Sequence, residues 1–487
     1  MKNKLAYLLL IFLSLGTVFP LFKEGFFSIH DDTQVARVFE MGKELKMGIF
    51  PVRWVPDLGY GFGYPIFNFY APFAYYVGGF LNIIGFEVLQ ATKIMIVLGV
   101  VLAAFTMYLL AQELFGKVGG LVAALFYVYA PYHALDIYVR GDVAEVYAYA
   151  FLPLIFYGLW KVALELKFRY VLITACGFAG LIISHNLTAF MATPFISVFT
   201  LYLISVARNK FLVFKFLSFA LIIGMLISAF YFIPAILEMN QTNIVSQIGG
   251  GADFKDHFVC LRQLWNSPWG FGGSAKGCID GLSFRIGKVH ILFSLLSFIS
   301  IIFFWKKEAR KRGVILFFVV SALISVFMTL EVSKTIWSTI PTMAFLQYPW
   351  RYLLLISFFT SFLSGSSVLL IKRFNPLRYD KFVYYILVLI IFILVFVNGK
   401  LFNPQVIIMK TANDYIDDYT LKWSASKISD EYLPKNFKKP NSYKDVNHKI
   451  PDGFVSTSID QIANVVSLSG IAISIAGIIY YRKKAIK

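Results

Sequence analysis

The amino-acid sequence predicts an all-α polytopic membrane protein that crosses the bilayer about twelve times. Of its 487 residues, 58% are hydrophobic and only 15% are charged, and the mean hydropathy is +0.70. A soluble protein of this length would carry roughly 25% charged residues, because its surface must face water. The basic residues gather in short stretches between long apolar runs, which is typical of the cytoplasmic loops of a membrane protein.

The net charge of +18 does not indicate a nucleic-acid-binding protein, because the basic clusters form no continuous phosphate-binding face. With three cysteines, a disulfide-rich scaffold is also excluded. Cys176 lies in an apolar run, whereas Cys260 and Cys278 share one predicted external loop. One disulfide and two free thiols both stay open for that pair, since connectivity cannot be read from a single sequence.

The predicted spans are apolar runs long enough to cross the hydrocarbon core as helices. They lie at 5–22, 94–113, 118–132, 148–165, 170–184, 188–206, 212–237, 288–305, 313–330, 351–371, 382–398 and 463–481. The first run has a basic flank but no small-residue cleavage site after it, which indicates a retained span and not a signal peptide.

The positions of lysine and arginine in short loops predict that both termini are cytoplasmic. With the N-terminus inside, nearly every dense basic cluster falls on the inner side: Lys117; Lys167 and Arg169; Arg208, Lys210 and Lys215; Lys306 to Arg312; Lys372, Arg373, Arg378 and Lys381; and the tail from Arg482. The apolar stretch 69–86 would turn every later cluster outward if it crossed the membrane. We therefore interpret it as an interfacial or re-entrant helix within a long first external loop.

This topology divides the chain into a transmembrane domain at 1–398, an external polar segment at 399–462, and a last span with a basic tail at 463–487. External loops at 23–93 and 238–287 belong to the first of these. The segment 399–462 is polar and of mixed charge, which fits either a small ordered cap or a largely extended chain.

Two adjacent carboxylates, Asp31 and Asp32, follow the first span directly after His30. Such a pair can bind a divalent cation, or one carboxylate can act as general base for an acceptor hydroxyl. The structural alternative is helix capping, because Asp32 or Thr33 would suit the N-cap of an amphipathic helix that runs to about Met47.

The same loop continues with a stretch rich in glycine and proline at 51–65, which predicts tight turns. Arg53 offers a bidentate fork for a phosphate group. Trp54, Tyr60 and Tyr64 offer aromatic faces on which sugar rings can stack. Asp57 and the nearby Asn68 are further candidate substrate-binding residues. The alternative is a purely structural loop that lies on the membrane.

Further polar residues are expected at the outer ends of the spans. Arg140 and Glu145 could form a structural ion pair, although charges at membrane depth are costly and often functional. His185 lies in the tight turn between two spans, where it acts as a turn residue or as a base. Gln347 and Arg351 open a span from outside, where the arginine either anchors the helix or holds a lipid phosphate.

Several of these stretches together resemble a family. The acidic pair after the first span, the long first loop with interfacial helices and Leu114-Phe115-Gly116-Lys117 resemble the GT-C class of membrane glycosyltransferases. The chain more closely resembles the bacterial YfhO-like membrane proteins, which are often labelled 6-pyruvoyl-tetrahydropterin synthase-related. The motifs are His30-Asp31-Asp32, Tyr64 to Pro72, Tyr138 to Glu145, Ser184 to Ala189, Gln347 to Arg351, and Glu431-Tyr432-Leu433-Pro434.

The resemblance implies a GT-C-like bundle that carries out inverting sugar transfer from a polyprenyl-phosphate donor to a cell-envelope glycan, lipid or protein at the external face of the plasma membrane. Asp31 and Asp32 match the acidic motif that acts as general base or holds a metal, here Mg²⁺ or Mn²⁺. Arg53, Arg140 and Arg351 are the expected phosphate contacts. The full expected substrate-binding set is His30, Arg53, Trp54, Asp57, Tyr60, Asn68, Arg140, Glu145, His185, Gln347 and Arg351.

Two other functions remain open at this stage. One is a transporter or flippase of envelope lipids, which would need polar groups along a path across the bilayer, whereas the predicted spans carry few. The other is a non-catalytic assembly protein. The chain differs from larger GT-C members after Glu431-Tyr432-Leu433-Pro434, where about thirty residues leave little room for a β-rich acceptor-recognition domain.

Overall fold

The computed structural model describes residues 3–244, 249, 252–304, 309–374, 379–449, 451 and 453–486, and it is dominated by helices. The helices are α1 (Asn3–Thr17), α2 (Gln34–Lys46), α3 (Ile66–Phe69), α4 (Phe73–Ile83), α5 (Val88–Val128), α6 (Pro131–Leu135), α7 (Val143–Glu165), α8 (Phe168–Ser184), α9 (Asn186–Ser205), α10 (Lys210–Leu237), α11 (Leu261–Trp265), α12 (Lys288–Phe304), α13 (Ala309–Thr329), α14 (Lys334–Thr339), α15 (Leu353–Phe374), α16 (Tyr379–Asn398), α17 (Asn413–Ile416), α18 (Ser426–Ile428) and α19 (Ser458–Ile486).

Among the described residues, eight helices are long and apolar enough to cross a membrane, the longest of them covering 53 residues from Val88 to Arg140. Three shorter apolar helices begin at Lys4, Phe168 and Lys288. The predicted runs all fall on these helices, so the all-α polytopic class is confirmed. Twelve crossings, and the cytoplasmic position of both ends, stay predictions. Lys306, Lys307 and Arg378 of the predicted inner loops lie outside the described residues.

The long helix α5 turns back on itself at Gly116, whose φ of 75° and ψ of 177° are not helical. A Cβ on Gly120 would lie 2.9 Å from the Cβ of Gln112. In a straight helix two residues eight positions apart are separated by about 12 Å along the axis. The two arms of α5 are therefore antiparallel, and they correspond to the predicted runs 94–113 and 118–132.

The stretch 69–86 forms α3 and α4, with a break at Tyr70 to Pro72. The 11 residues of α4 extend about 16 Å, which is too short to cross the hydrocarbon core. This helix packs against α2. The predicted amphipathic helix is confirmed as α2, but Thr33 at its N-cap position makes no capping hydrogen bond through its side chain.

The centre of the bundle is formed by α5, α7 and α15, which pack on one another, and α10 packs against α8 and α19 on the other side. Phenylalanine rings fill much of this core. Phe318 of α13 stacks on Phe362 of α15 with ring centroids 3.8 Å apart, and both are fully buried. The outer ends of these central helices carry the polar residues described below.

The segment 399–462 is an ordered cap and not an extended chain. Its residues Ile407–Ile408 form β2, which pairs antiparallel with β1 at Phe26–Phe27. Further along, the backbone N–H of Asn447 donates to the carbonyl of Tyr60 at 3.0 Å, and the N–H of Tyr60 donates to the Ser426 hydroxyl at 3.0 Å. The cap is thus joined to the first long loop by strand pairing and by further hydrogen bonds to the main chain of Tyr60.

The tight turns predicted at 51–65 are present, and one of them depends on Gly63. Its φ is +87°, and an added Cβ would lie 1.9 Å from the Trp54 ring. We expect Gly63→Ala to lower the free energy of unfolding by about 3 kcal/mol, since it combines a left-handed backbone with a clash. The matched variant Gly48→Ala has a φ of +80° but open space, so it should lose only about 1 kcal/mol. Unfolding by SDS in mixed micelles measures both, and equal losses would contradict the role of the Trp54 contact.

Cys260 and Cys278 form a disulfide, which decides between the two alternatives left open by the sequence. In intact cells that express the chain, a membrane-impermeant maleimide should label these two cysteines only after reduction, because the loop is predicted to be external. The double variant Cys260→Ser/Cys278→Ser retains Cys176 in α8 and should stay unlabelled. Labelling that requires permeabilised cells would reverse the predicted orientation.

Candidate functional site

Acidic and basic side chains meet where the first long loop crosses one end of the central helices. The backbone N–H groups of His30 and Asp31 donate to the carbonyls of Val139 and Arg140, at 2.9 and 3.1 Å. Residues 136–140 form a π-helical turn that ends at Gly141, whose φ is 70°. The two sequence motifs that carry Asp31 and Arg140 are therefore in direct contact.

Arg140 is the centre of this cluster and is only 8% exposed. Its guanidinium pairs with Asp136, with Asp142 at 2.7 Å and with Glu145 at 2.7 Å. The predicted pair between Arg140 and Glu145 is thus present. Tyr132 completes the group, because its hydroxyl accepts from Arg140 at 2.9 Å and donates to Glu145 at 3.0 Å. Three carboxyl groups thus share a single guanidinium.

Asp31 lies beside Arg37 of α2, whose Nη1 is 3.8 Å from Oδ2 of Asp31. Burial raises the pKa of Asp31, and the negative charge of Asp142 adds to this, while Arg37, Arg140 and Arg351 oppose it. Burial also acts on Asp142, but Arg140 and the backbone N–H of Glu145, which donates to Asp142, outweigh it and lower the pKa of that carboxyl. Of the carboxyl groups of Asp31 and Asp142, that of Asp31 therefore binds a proton more readily.

Asp32 occupies a different position from its neighbour. Its carboxylate lies 4.0 Å from Nζ of Lys410, which belongs to the external cap. Burial raises the pKa of Asp32 and Lys410 opposes this effect. Asp32 therefore faces the cap, whereas Asp31 faces the cluster around Arg140.

His185 reaches the same cluster from the turn between α8 and α9. Its Nδ1 accepts from the backbone N–H of Thr188 and lies 2.7 Å from the hydroxyl of that residue. Burial lowers the pKa of His185, although Asp142 and Glu145 counteract it. The imidazole is consequently neutral near pH 7.

A divalent cation would find its donors here. One ligand atom each of Asp142, Glu145 and His185 lie within 4.8 Å of one another, and Oε1 of Glu145 is buried with no hydrogen-bond partner in the described part of the chain. Two carboxylates and an imidazole suit Mn²⁺. Arg140 now pairs with both carboxylates, so a bound cation would compete with that guanidinium. Asp31 borders this donor set and Asp32 does not.

Arg351 adds a cation that forms no ion pair among the described residues. Its Nε and Nη1 are buried and have no hydrogen-bond partner among the described residues. The guanidinium lies over the Tyr348 ring, 5.4 Å from the centroid. It is close enough to lower the pKa values of Asp31 and Asp142. Arg351 is partly exposed, and a guanidinium with two unsatisfied donor atoms is suited to binding an anion.

The disulfide-containing loop covers this region from outside. His30 donates from Nε2 to the carbonyl of Phe271 at 2.7 Å. On the other side, the indole N–H of Trp350 donates to the Ser274 hydroxyl at 3.0 Å, and Arg140 lies 5.0 Å from the centroid of the Trp350 ring. The segment from Phe271 to Ser274 therefore spans the opening between the first loop and the start of α15.

The remaining predicted residues lie outside the cluster. Arg53 donates to Asn68 at 2.9 Å and to Asn464 at 2.8 Å, and Asn68 donates to Glu238 at 2.7 Å. Three others also have structural partners: Asp57 pairs with Lys43, Tyr60 donates to Asp430, and Trp54 packs over Gly63. Gln347 has a φ of 62° in the turn before α15. The structure thus brings Asp31, Arg140, Glu145, His185 and Arg351 together.

Several residues of the cluster were not singled out by the sequence. Arg37 is 1% exposed on α2, where an amphipathic pattern would place an arginine toward water. Asp136 and Asp142 flank Arg140 in the same motif, and that spacing was available as a signal. Glu431 belongs to a motif quoted for the family resemblance, but nothing in its local sequence indicates that it lies near Arg37.

The comparison with family models supports the membrane character. Residues 67–249 match a family model described as the 6-pyruvoyl-tetrahydropterin synthase related domain, a membrane protein. This match includes Arg140, Asp142, Glu145 and His185, but it does not reach Asp31 or Arg351. An uncharacterized protein of Lactococcus lactis subsp. cremoris is 27% identical over 312 residues, which are 61% of this chain and 48% of that protein.

Two solved structures of the oligosaccharyltransferase of Archaeoglobus fulgidus are similar to this chain. One is tethered to an acceptor peptide containing the NVT sequon, with 14% identity and a TM-score of 0.47 over 82% of this chain and 55% of that one. The other is in complex with an inhibitory peptide and a dolichol-phosphate, with 13% identity and a TM-score of 0.47 over 81% and 55%. The chain spans about half the length of each of these relatives. Together, the family model and the helices of the structure show that the chain is a multi-pass membrane protein.

Proposed function

We propose that the chain is a GT-C-type glycosyltransferase that transfers a sugar from a polyprenyl-phosphate donor to a cell-envelope acceptor on the external face of the plasma membrane. The observation that carries this proposal is the guanidinium of Arg351, which forms no ion pair among the described residues and is close enough to act on the charges of Asp31 and Asp142. A site for an anion and a site for a base thus adjoin at the end of an apolar helix bundle.

The anion is a lipid phosphate in this proposal. Arg351 lies just before α15, at the level where a phosphate head group meets the hydrocarbon region. Its planar fork can donate two hydrogen bonds to phosphate oxygens. The buried Nε and Nη1 would gain the partners that they lack in the described residues. The desolvation cost of the guanidinium would then be offset by the bound charge.

An apolar groove supports a lipid carrier. It has a volume of about 440 Å³ and lies between α1, α4, α5 and α7, with lining residues such as Leu10, Phe73, Leu98, Phe105 and Tyr147. The lining contains one serine, Ser14, and its hydroxyl donates to the carbonyl of Leu10. The groove therefore offers a hydrocarbon chain an apolar wall at bilayer depth.

The transfer is an in-line displacement that inverts the anomeric carbon. Asp31 accepts the proton of the acceptor hydroxyl, and the oxygen lone pair of that hydroxyl forms the new bond to the anomeric carbon. The bond from this carbon to the phosphate oxygen breaks, and its electron pair leaves with the phosphate. Arg351 stabilises the negative charge that develops there. A divalent cation held by Asp142, Glu145 and His185 would supply further charge stabilisation.

The proposed function is tested by mass spectrometry of envelope glycans and glycolipids from cells with and without the gene. A sugar that is missing from a glycan, lipid or protein of the deletion strain, and that returns with a plasmid copy, is the expected result. An unchanged profile of all three fractions would overturn the proposal and favour a flippase or an assembly role.

A further inference from the structure

A closed network of polar side chains holds Asp31 from the side of α2. Gln34 donates from Nε2 to Oδ2 of Asp31 at 3.4 Å and to the carbonyl of Gly141 at 2.8 Å. Its Oε1 accepts from the hydroxyl of Tyr75 in α4 at 2.6 Å, and that hydroxyl accepts from Nη1 of Arg37 at 3.1 Å. The same Nη1 lies 3.8 Å from Oδ2 of Asp31. The network therefore begins and ends at one oxygen atom of Asp31.

The direction of each hydrogen bond in this network is determined by its two ends. The carbonyl of Gly141 can only accept, so the amide nitrogen of Gln34 faces it and the amide oxygen faces Tyr75. Arg37 can only donate, so the Tyr75 hydroxyl accepts from it and gives its own proton to Gln34. Gln34 is 1% exposed and Tyr75 is 0% exposed, so neither group can turn without leaving a buried polar atom unpaired. The network thus has a single arrangement.

The two carboxylate oxygens of Asp31 consequently have different surroundings. Oδ2 lies beside the buried side chains of Gln34 and Arg37, whereas Oδ1 accepts no hydrogen bond from the described residues. The backbone is fixed as well, because the N–H of Asp31 donates to the carbonyl of Arg140 at 3.1 Å. Since the Asp31 side chain is 34% exposed and its Oδ2 is covered by α2, Oδ1 is the oxygen that a ligand can reach.

We propose that Gln34 and Tyr75 are positioning residues, which hold the carboxylate of Asp31 so that Oδ1 faces the acceptor hydroxyl. This inference rests on the proposed function. In the transfer step the proton of the hydroxyl moves to Oδ1 while the hydroxyl oxygen forms its bond to the anomeric carbon. The bond to the phosphate oxygen breaks, and the phosphate leaves with the electron pair.

Positioning matters because the aspartate side chain can rotate. A carboxylate without partners would present either oxygen, at varying distances from the acceptor. A reacting group that is misplaced by about 1 Å can cost roughly 100-fold in rate. Gln34 and Tyr75 restrict this rotation from the side of Asp31 that lies away from the acceptor, so they act on the rate of transfer without contacting a substrate.

The test compares Tyr75→Phe with the full-length parent protein. Phenylalanine keeps the aromatic ring but lacks the hydroxyl that joins Gln34 to Arg37. We expect kcat to fall by about 10- to 100-fold, whereas KM for the acceptor should stay within a factor of about two. The acceptor probe is the envelope fraction that lacks its sugar in the deletion strain. It is added over a range of concentrations to vesicles that contain the lipid-linked donor.

Tyr231→Phe is the matched control. Tyr231 is 1% exposed, and its hydroxyl donates to the carbonyl of Phe69 at 2.8 Å. This variant therefore also loses one buried hydrogen bond, but not one of the network around Asp31, and its kcat should stay within a factor of about three of the parent. Unfolding by SDS in mixed micelles shows whether each variant is folded. If Tyr75→Phe is not, Gln34→Met takes its place, since it keeps the length of the side chain and removes the amide.

A double variant separates positioning from a general loss of structure. If Tyr75 acts through Asp31, Tyr75→Phe should leave the residual rate of Asp31→Asn unchanged, because no base is left to position. The inference is overturned if Tyr75→Phe lowers both rates by the same factor, or if it transfers sugar at the rate of the parent. A parent protein that transfers no sugar would overturn the proposed function instead, so the two failures are distinguishable.

Discussion

Replacement of Asp31 by asparagine is expected to lower the rate of sugar transfer by about 10²- to 10⁴-fold, which is the usual contribution of a general base. The amide keeps the size of the side chain but cannot take the proton of an acceptor hydroxyl. The assay uses right-side-out vesicles from the deletion strain, which hold its own lipid-linked donors. Purified parent or variant protein is added by fusion, and the product identified in the glycan profile is quantified by mass spectrometry.

Asp32→Asn is the matched control for this experiment. The side chain of Asp32 faces Lys410 of the cap, so we expect transfer within a factor of about three of the parent, in line with a partly exposed ion pair. Transfer by Asp31→Asn, or by the double variant, at the rate of the parent would exclude the mechanism. Loss of transfer in Asp32→Asn alone would assign the base to Asp32 instead.

The pH dependence of transfer follows from the same carboxyl. Asp31 must be ionised to act as a base, and burial raises its pKa above the ordinary value of an aspartate. The rate of the parent should therefore fall as the pH falls through this raised pKa, at a higher pH than for an exposed aspartate. In Asp31→Asn the residual rate should lack that acidic limb.

Removal of the Arg140 guanidinium is expected to have the largest effect on stability. In Arg140→Met the buried carboxylates of Asp136, Asp142 and Glu145 lose their shared counterion. Breaking a buried ion pair from one side typically costs about 3–5 kcal/mol of unfolding free energy. Unfolding by SDS in mixed micelles measures this loss, and saturating Mn²⁺ should recover part of it if the freed carboxylates and His185 bind the cation.

Arg169→Met is the control for the loss of an arginine. Arg169 is 62% exposed and pairs with Glu165 at 3.5 Å, so its removal should cost less than about 1 kcal/mol. If Arg140→Met were no more destabilising than Arg169→Met, the three carboxylates could not depend on Arg140 for their charge balance. A loss that Mn²⁺ does not reduce would argue against a cation at these donors.

The sequence predicted the helices well because apolar length and loop charge act locally. An apolar run such as 382–398 fits only a helix that spans the membrane, and the structure has helix α16 at this position. The disulfide and the ordered cap could not be decided from the sequence, since both depend on which distant segments meet. For the same reason, the sequence identified Arg53 and Asn68 as candidates by residue type, whereas the structure places them in a network with Glu238 and Asn464.

The cluster shows the same limit in the opposite direction. Asp31, Arg140 and His185 were identified because each lies at the outer end of a predicted span, and topology alone places such ends on one side. Arg37 and Glu431 escaped notice, since one lies on an amphipathic helix and the other on a polar segment. Only the packing of α2 under the cap brings these two residues together.

The hydrogen bond between Arg53 and Asn464 joins residues 411 positions apart. At about 5–20 residues per second, synthesis of the intervening chain takes roughly 20–80 s. Throughout that time Arg53, which ends up 4% exposed, has neither Asn464 nor Asp460 as a partner. The first loop therefore forms its local contacts, such as that of Arg53 with Asn68, before its contacts with the last helix can exist. A chain that stops short of the last helix leaves Arg53 without these two partners.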